Sequence, residues 1–220
     1  MFQNVGGRSV QNVLIQDSGL TWDIRDSFLL RENKNLKAGP PRLAHLTYRE
    51  YLDYFYISQE LMDSYFKFSI VRDPYRRMES IYRHKGFSEA ISFERFISEV
   101  VPQEVLGGGD LEYFMKPQVE FLVDHDDKIA VEQIIKLEDM NSELPNIFLS
   151  IGISIKDIPH VNRARVRPIH RALGKRIQMA FQGYWQLTFK VNDDVRWSED
   201  MKKIVQGIYQ SDFEQLKYNL

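Results

Sequence analysis

This 220-residue sequence predicts an α/β fold with a mainly parallel sheet flanked by helices. Three observations predict it. In "KFSIVRDPYRRMESIYRH" (Lys67 to His84), Phe66, Phe68 and Ile70 alternate with Lys67 and Ser69, the period of a half-buried strand, and Asp-Pro follows at once. The stretch "KIAVEQIIKLED" reads as a second strand, with a helix after Asp139. Between and beyond these strands lie helix starts of recognisable chemistry.

The elements follow in order. "GGRSVQNVL" (Gly6 to Leu14) reads as a glycine turn opening a helix with Val10, Val13 and Leu14 on its buried face. "LKAGPPRLAH" is a loop with an extended exit, and "TYRE" (Thr47 to Glu50) has capping-box spacing, starting a helix through about Tyr56. After the first strand, Asp73 suits an N-cap and Pro74 the first helical position. "VLGGGDL" reads as a flexible loop and a candidate substrate lid. Ser198 caps a last amphipathic helix carrying Met201, Ile204, Val205 and Ile208.

Composition bounds the function. The length suits one substantial core, and residues 1–220 are read as a single domain. A net charge of −2 implies no general attraction to nucleic acid or acidic membranes. The absence of cysteine removes disulfides, thiolate nucleophiles and cysteine metal sites. No apolar run is long enough to span a membrane, and the expected compartment is a bacterial-type cytoplasm, favoured over the Golgi lumen. Charge is uneven, however: seven Lys or Arg fall between Lys156 and Arg176 against one acid, Asp157. Such a run is often just a solvated face, but inside a slightly acidic protein it points to a local anionic ligand.

The candidate site residues come from chemistry at particular positions. Arg72 stands at the carboxyl end of the first strand, the edge at which ligands bind in open α/β sheets. Arg77 and Ser80 share a helix face just beyond it. An arginine fork and a hydroxyl at that place suit an anion such as phosphate. Gly6, Gly7 and Ser9 open a helix whose N–H groups and dipole form a phosphate cradle, a weak signal when alone. His45, in the loop before the Thr47 cap, has the chemistry of a general base, although a lone loop histidine is more often structural. Gln118 and Glu138 have bland readings as a surface amide and a strand-end charge, and "IPHVNRARVRP" offers His160, Asn162 and Arg163. No grouping has convincing metal spacing, and there is no complete Walker A, dinucleotide fingerprint or G-x-S-x-G elbow.

Together these segments resemble the sulfotransferases that use 3′-phosphoadenosine 5′-phosphosulfate (PAPS), in particular their carbohydrate, family 2 branch. "FSIVRDPYRRMESIY" matches that family's Phe-x-x-Val-Arg-Asp-Pro-x-x-Arg-x-x-Ser-x-Tyr segment. The resemblance implies that Arg72 and Ser80 hold the donor's 3′-phosphate, with Arg77 supporting the segment. "AHLTYREY" resembles the His-x-Thr segment and makes His45 similar to a catalytic-base position. "KPQVEFL" resembles Pro-Gln-x-x-Phe-Leu and implies that Gln118 lies near the substrate. "IIKLEDM" resembles the strand ending in Phe-Glu-Asn-Leu. "IPHVNRA" resembles a Pro-His-x-Asn loop near the nucleotide, bringing in Asn162 and Arg163, and "IYQSDFEQLKY" resembles the closing motif. The implied architecture is a P-loop-type three-layer fold, and the implied chemistry needs no metal.

One segment departs from the family pattern. "QNVGGRSV" (Gln3 to Val10) stands where the phosphosulfate loop Pro-Lys-Thr-Ala/Gly-Gly-Thr-Ser belongs. Gly6, Gly7 and Ser9 match, Arg8 takes the threonine position, and Asn4 replaces the lysine. Only Met1 and Phe2 precede this segment, so the first strand of the family is expected to be missing. Charge builds on the departing nucleotide's oxygen during sulfuryl transfer, so losing that lysine should cost a few kcal/mol, roughly the worth of one oxyanion donor. The leading expectation is sulfuryl transfer from PAPS to a hydroxyl, in particular that of a carbohydrate, with Arg8 as the replacement cation. An impaired relative that binds a nucleotide or a protein partner is the alternative, and a P-loop nucleotide kinase is disfavoured by the missing Gly-Lys-Ser/Thr.

Overall fold

A computed structural model describes residues 7–35, 38–153 and 195–219, with the backbone alone at Gly7, Arg8 and Ser9. In chain order the helices and strands are α1 (Gly7–Asp17), α2 (Tyr48–Asp53), α3 (Gln59–Ser64), β1 (Phe68–Val71), α4 (Pro74–His84), α5 (Phe93–Arg95), α6 (Val101–Leu106), α7 (Glu112–Met115), β2 (Gln133–Lys136), α8 (Met140–Ser150), α9 (Glu199–Ile208) and α10 (Gln210–Gln215). Short 3-10 turns link them, and a π-helical turn, Phe96–Val100, joins α5 to α6. Pro102, in the first turn of α6, has no N–H to donate back into that turn. The chain divides into two compact units, Met1–Arg72 with Lys116–Arg163 and Asp73–Met115 with Ala164–Leu220. Among the described residues the fold is mixed α/β, with a small parallel sheet as expected.

The first unit is built on that sheet. β1 and β2 pair in parallel, with Phe68 opposite Gln133 and Val71 opposite Lys136. Val10 and Val13 of α1, Phe68 and Ile70 of β1, Ile135 of β2, and Leu144 and Phe148 of α8 form one core cluster. The helix-period reading of α1 is therefore correct. The half-buried reading of β1 is not: all four of its residues are buried, including Ser69. A parallel strand is commonly covered on both faces, and serine is small enough to be buried there. The capping box of α2 forms in full. Thr47 Oγ1 accepts from the Glu50 N–H at 3.2 Å, and Glu50 Oε2 accepts from the Thr47 N–H at 2.7 Å. The helix ends at Asp53, short of Tyr56, and Phe55, just past the Tyr54 C-cap, takes a left-handed φ of 57°.

The second unit is an aromatic-rich helical core. α4 begins as the sequence indicates, with Asp73 Oδ1 accepting from the Arg76 N–H at 2.9 Å and Pro74 in the first turn. Its buried face carries Met78, Ile81 and Tyr82, and the Tyr82 hydroxyl donates to the Ile91 carbonyl at 2.7 Å. Phe93 packs edge-on against Tyr82 and Trp197, with centroids 5.1 and 4.9 Å away. Ser198 Oγ caps α9 by accepting from the Met201 N–H, and Met201 and Val205 enter the same core.

The glycine triplet is a built turn rather than a slack loop. Glu104 is buried, and its Oε2 accepts from the Leu111 N–H at 2.7 Å across the turn. Gly108 has a φ of 66°, and a Cβ at Gly109 would lie 2.2 Å from Glu104 Oε2.

Candidate functional site

The described part of the site centres on the C-terminal end of β1. The β1–β2 register ends at Val71, so Arg72 is the first residue beyond the ladder. Its main chain is met instead by a side chain. The Arg72 N–H donates to Gln118 Oε1 at 2.9 Å, and Gln118 Nε2 donates to the Arg72 carbonyl at 2.8 Å. Gln118 is only 3% exposed and begins the 3-10 turn Val119–Phe121, both ends of which are buried. Arg72 itself is half-buried.

The other end of β1 is held in a similar way. The Lys67 N–H donates to Glu132 Oε2 at 2.6 Å, while the Lys67 ammonium lies 2.8 Å from Glu132 Oε1. Burial alone would raise the Glu132 pKa, but the side-chain and backbone hydrogen bonds from Lys67 outweigh it and hold the carboxyl below its ordinary value.

Immediately after Arg72 the chain enters α4 in the second unit. Arg77 on that helix is 3% exposed and does not present its fork to solvent. Its Nη2 donates to the Phe114 carbonyl at 3.0 Å, and its guanidinium stands 5.8 Å from the Tyr209 ring centroid. Of the helix pair first read as an anion site, Arg77 thus braces the segment and Ser80 is half-buried on the same helix.

His45 ends a 3-10 turn, Leu43–His45, and is half-buried between buried Leu43 and Leu46. The Thr47 capping box fixes the backbone just beyond it. Nearby, burial and then the Glu50 charge push the Tyr51 hydroxyl pKa up to about 12, and this hydroxyl donates to the Leu43 carbonyl at 3.2 Å. Gly7, Arg8 and Ser9 form the first turn of α1, which contains no acidic residue and so leaves the positive helix end uncompensated from within. Asn4, Gly6, Asn162 and Arg163, together with the whole basic run from Lys156 to Arg176, lie outside the described residues. Glu138 is in a 3-10 turn at the end of β2.

The structure thus joins Arg72 directly to Gln118, and keeps His45 in the same unit as both. Sequence reasoning missed that contact because a side chain reaching a backbone 46 residues away leaves no periodic signal. An open depression of about 540 Å³ in the first unit is lined by Asp63, Asp124, Asp126 and Glu132 beside Lys67 and His125. Its carboxylates suit no sulfated anion, and none of the expected site residues lines it. Among the described residues no group of three or more His, Asp or Glu is placed to hold a metal ion, and no helix is long and apolar enough to cross a membrane.

A family model described as "Sulfotransferase family" matches residues 3–219, nearly the whole chain. No curated protein and no solved structure gives a match.

Proposed function

Because the chain belongs to the sulfotransferase family, we propose that it transfers a sulfuryl group from PAPS to a hydroxyl acceptor, in particular one on a carbohydrate. The observation that carries this reading is Arg72 at the C-terminal end of β1, followed directly by the Asp73-capped, Pro74-started helix. A planar, permanently charged fork at that strand edge matches a ribose 3′-phosphate. The acid-free first turn of α1 fits the phosphosulfate end of the same donor.

In this reading Arg72 and Ser80 hold the 3′-phosphate, while Gly6, Gly7 and Ser9 offer N–H and hydroxyl donors to the phosphosulfate. Asn162 and Arg163 are further ligands of the nucleotide. His45 takes the proton of the acceptor hydroxyl as its oxygen attacks sulfur in line. The new S–O bond forms as the bond to the nucleotide oxygen breaks, and 3′-phosphoadenosine 5′-phosphate departs. Arg8 supplies the positive charge that the departing oxygen needs, in place of the family's lysine.

One observation favours a second reading, a nucleotide- or partner-binding protein without turnover: Asn4 occupies the lysine position. Calorimetric titration with 3′-phosphoadenosine 5′-phosphate and with ADP tests the donor site, on the wild-type protein and on Arg72→Ala. The expected result is clear preference for the 3′-phosphorylated nucleotide, lost in Arg72→Ala. Equal or absent binding of both by the wild type would overturn the donor assignment. Turnover of wild type and Asn4→Lys with a saccharide acceptor then separates an active enzyme from a binding protein.

A further inference from the structure

The peptide groups on either side of an amino acid's Cα together set where its Cβ points. At Arg72 both are fixed by one side chain. Gln118 Oε1 accepts from the Arg72 N–H at 2.9 Å, and Gln118 Nε2 donates to the Arg72 carbonyl at 2.8 Å. A primary amide carries a donor and an acceptor side by side, so it can pair with a strand residue as another strand's main chain would. The β1–β2 pairing stops at Val71, opposite Lys136. Gln118 therefore pairs with the next residue by side chain where that ladder ends.

We propose that Gln118 is a positioning residue for Arg72: its amide fixes the backbone from which the arginine leaves the sheet, and so aims the guanidinium at the donor's 3′-phosphate. The inference rests on reading Arg72 as the 3′-phosphate ligand. It gives Gln118 a different task from contact with the acceptor. The amide is well placed for the task because it is itself held. Pro117 restricts the backbone before it, and Val119 and Phe121 are buried directly after it. At 3% exposure, Gln118 also keeps water from replacing its two bonds to Arg72. A phosphate ligand displaced by as little as ~1 Å loses much of its grip, on the order of tenfold to a hundredfold.

The test compares wild type, Gln118→Met, Gln118→Glu and Arg72→Ala. Methionine keeps the length of the side chain and removes both hydrogen bonds. Glutamate at neutral pH keeps an acceptor for the Arg72 N–H and sets a negative oxygen against the Arg72 carbonyl, so it decides the matter if the methionine variant does not fold. Affinities for 3′-phosphoadenosine 5′-phosphate and for AMP isolate the 3′-phosphate, and hydrogen exchange at the Arg72 amide follows the clamp directly.

In Gln118→Met the preference for the 3′-phosphate should fall by about tenfold or more, with AMP affinity unchanged and exchange at Arg72 accelerated. Gln118→Glu should lose the same preference while retaining more protection at that amide. A folded Gln118→Met protein that keeps the preference overturns the proposal, as does unchanged exchange at Arg72. A raised acceptor KM with donor preference intact would return Gln118 to the acceptor. If Arg72→Ala keeps the preference while Gln118→Met frees the Arg72 amide, the donor reading has failed and the clamp has not.

Discussion

Glu132 grips Lys67 at two points: one carboxylate oxygen accepts from the Lys67 main-chain N–H at 2.6 Å, and the other meets its ammonium at 2.8 Å. The Glu132 N–H returns a bond to the Lys67 carbonyl at 2.9 Å. Lys67 immediately precedes β1 and Glu132 immediately precedes β2, so this pair sets the register in which the two strands begin.

Replacement of Glu132 by Gln should therefore loosen the start of the sheet. The amide retains an acceptor for the N–H but loses the attraction to the ammonium. The expected loss is modest, about 1 kcal/mol, because Glu132 is 45% exposed and water screens the pair. The sign of the pH dependence follows from the lowered Glu132 pKa. A carboxyl with a folded-state pKa below its unfolded value stabilises the fold above the unfolded value, and that stabilisation disappears as pH falls through the folded one. Asp124 acts in the same direction, its pKa lowered chiefly by the Lys128 N–H. Urea midpoints of the wild type should fall as pH drops from about 5 towards 3, and Glu132→Gln should show a shallower fall over that window. Parallel curves would show that Glu132 has no part in the acid sensitivity.

The turn at Gly107 to Gly109 gives a sharper prediction. In Gly109→Ala the new methyl would press on Glu104, whose carboxylate is committed to the Leu111 N–H. Relief requires breaking that buried hydrogen bond, at a cost of about 1–2 kcal/mol. Gly108→Ala meets no atom within 4 Å, but its φ of 66° strains any residue with a Cβ, roughly 1 kcal/mol. The two effects separate in a Glu104→Ala background. There Gly109→Ala should add little further loss in a urea titration, while Gly108→Ala should cost what it costs in the wild type. An undiminished Gly109→Ala effect would locate the clash in the backbone.

What was legible beforehand is what local chemistry encodes. The Thr47 box, the Asp73 and Ser198 caps and Pro74 sit where their spacing with near neighbours puts them. The buried face of α1 follows from hydrophobic period, and both strands fall inside the stretches read as strands, although β1 is buried at all four residues rather than at alternate ones. The contacts that close the sheet ends were not legible, because Glu132 reaches Lys67 and Gln118 reaches Arg72 across 65 and 46 residues. The glycine triplet misled by composition: three glycines suggest slackness until the buried Glu104 that fixes the turn is known. Arg72 is marked by its place at a strand end, whereas nothing in the sequence shows that Arg77 is buried and braces the core.

Arg77 supplies the last prediction, and it bears on that distinction. Its Nη2 donates to the Phe114 carbonyl at 3.0 Å, and its Nη1 lies 3.5 Å from the Met115 carbonyl, which also accepts from the Tyr209 hydroxyl at 2.9 Å. These four residues tie α4 and α7 to the junction of α9 and α10 inside the second unit. In Arg77→Ala the Phe114 carbonyl loses this charged donor and a cavity opens, so stability should fall by about 3 kcal/mol, a large fraction of what a domain has. Arg77→Lys keeps the charge without the planar fork and should recover only part of that loss. Tyr209→Phe should cost about 1 kcal/mol alone, and the combination with Arg77→Ala more than the sum of the two, since the Met115 carbonyl then loses both of its donors. Urea unfolding of the wild type and these four variants measures all of this. An Arg77→Ala protein as stable as the wild type, but with weakened binding of 3′-phosphoadenosine 5′-phosphate, would move Arg77 from the core to the anion site.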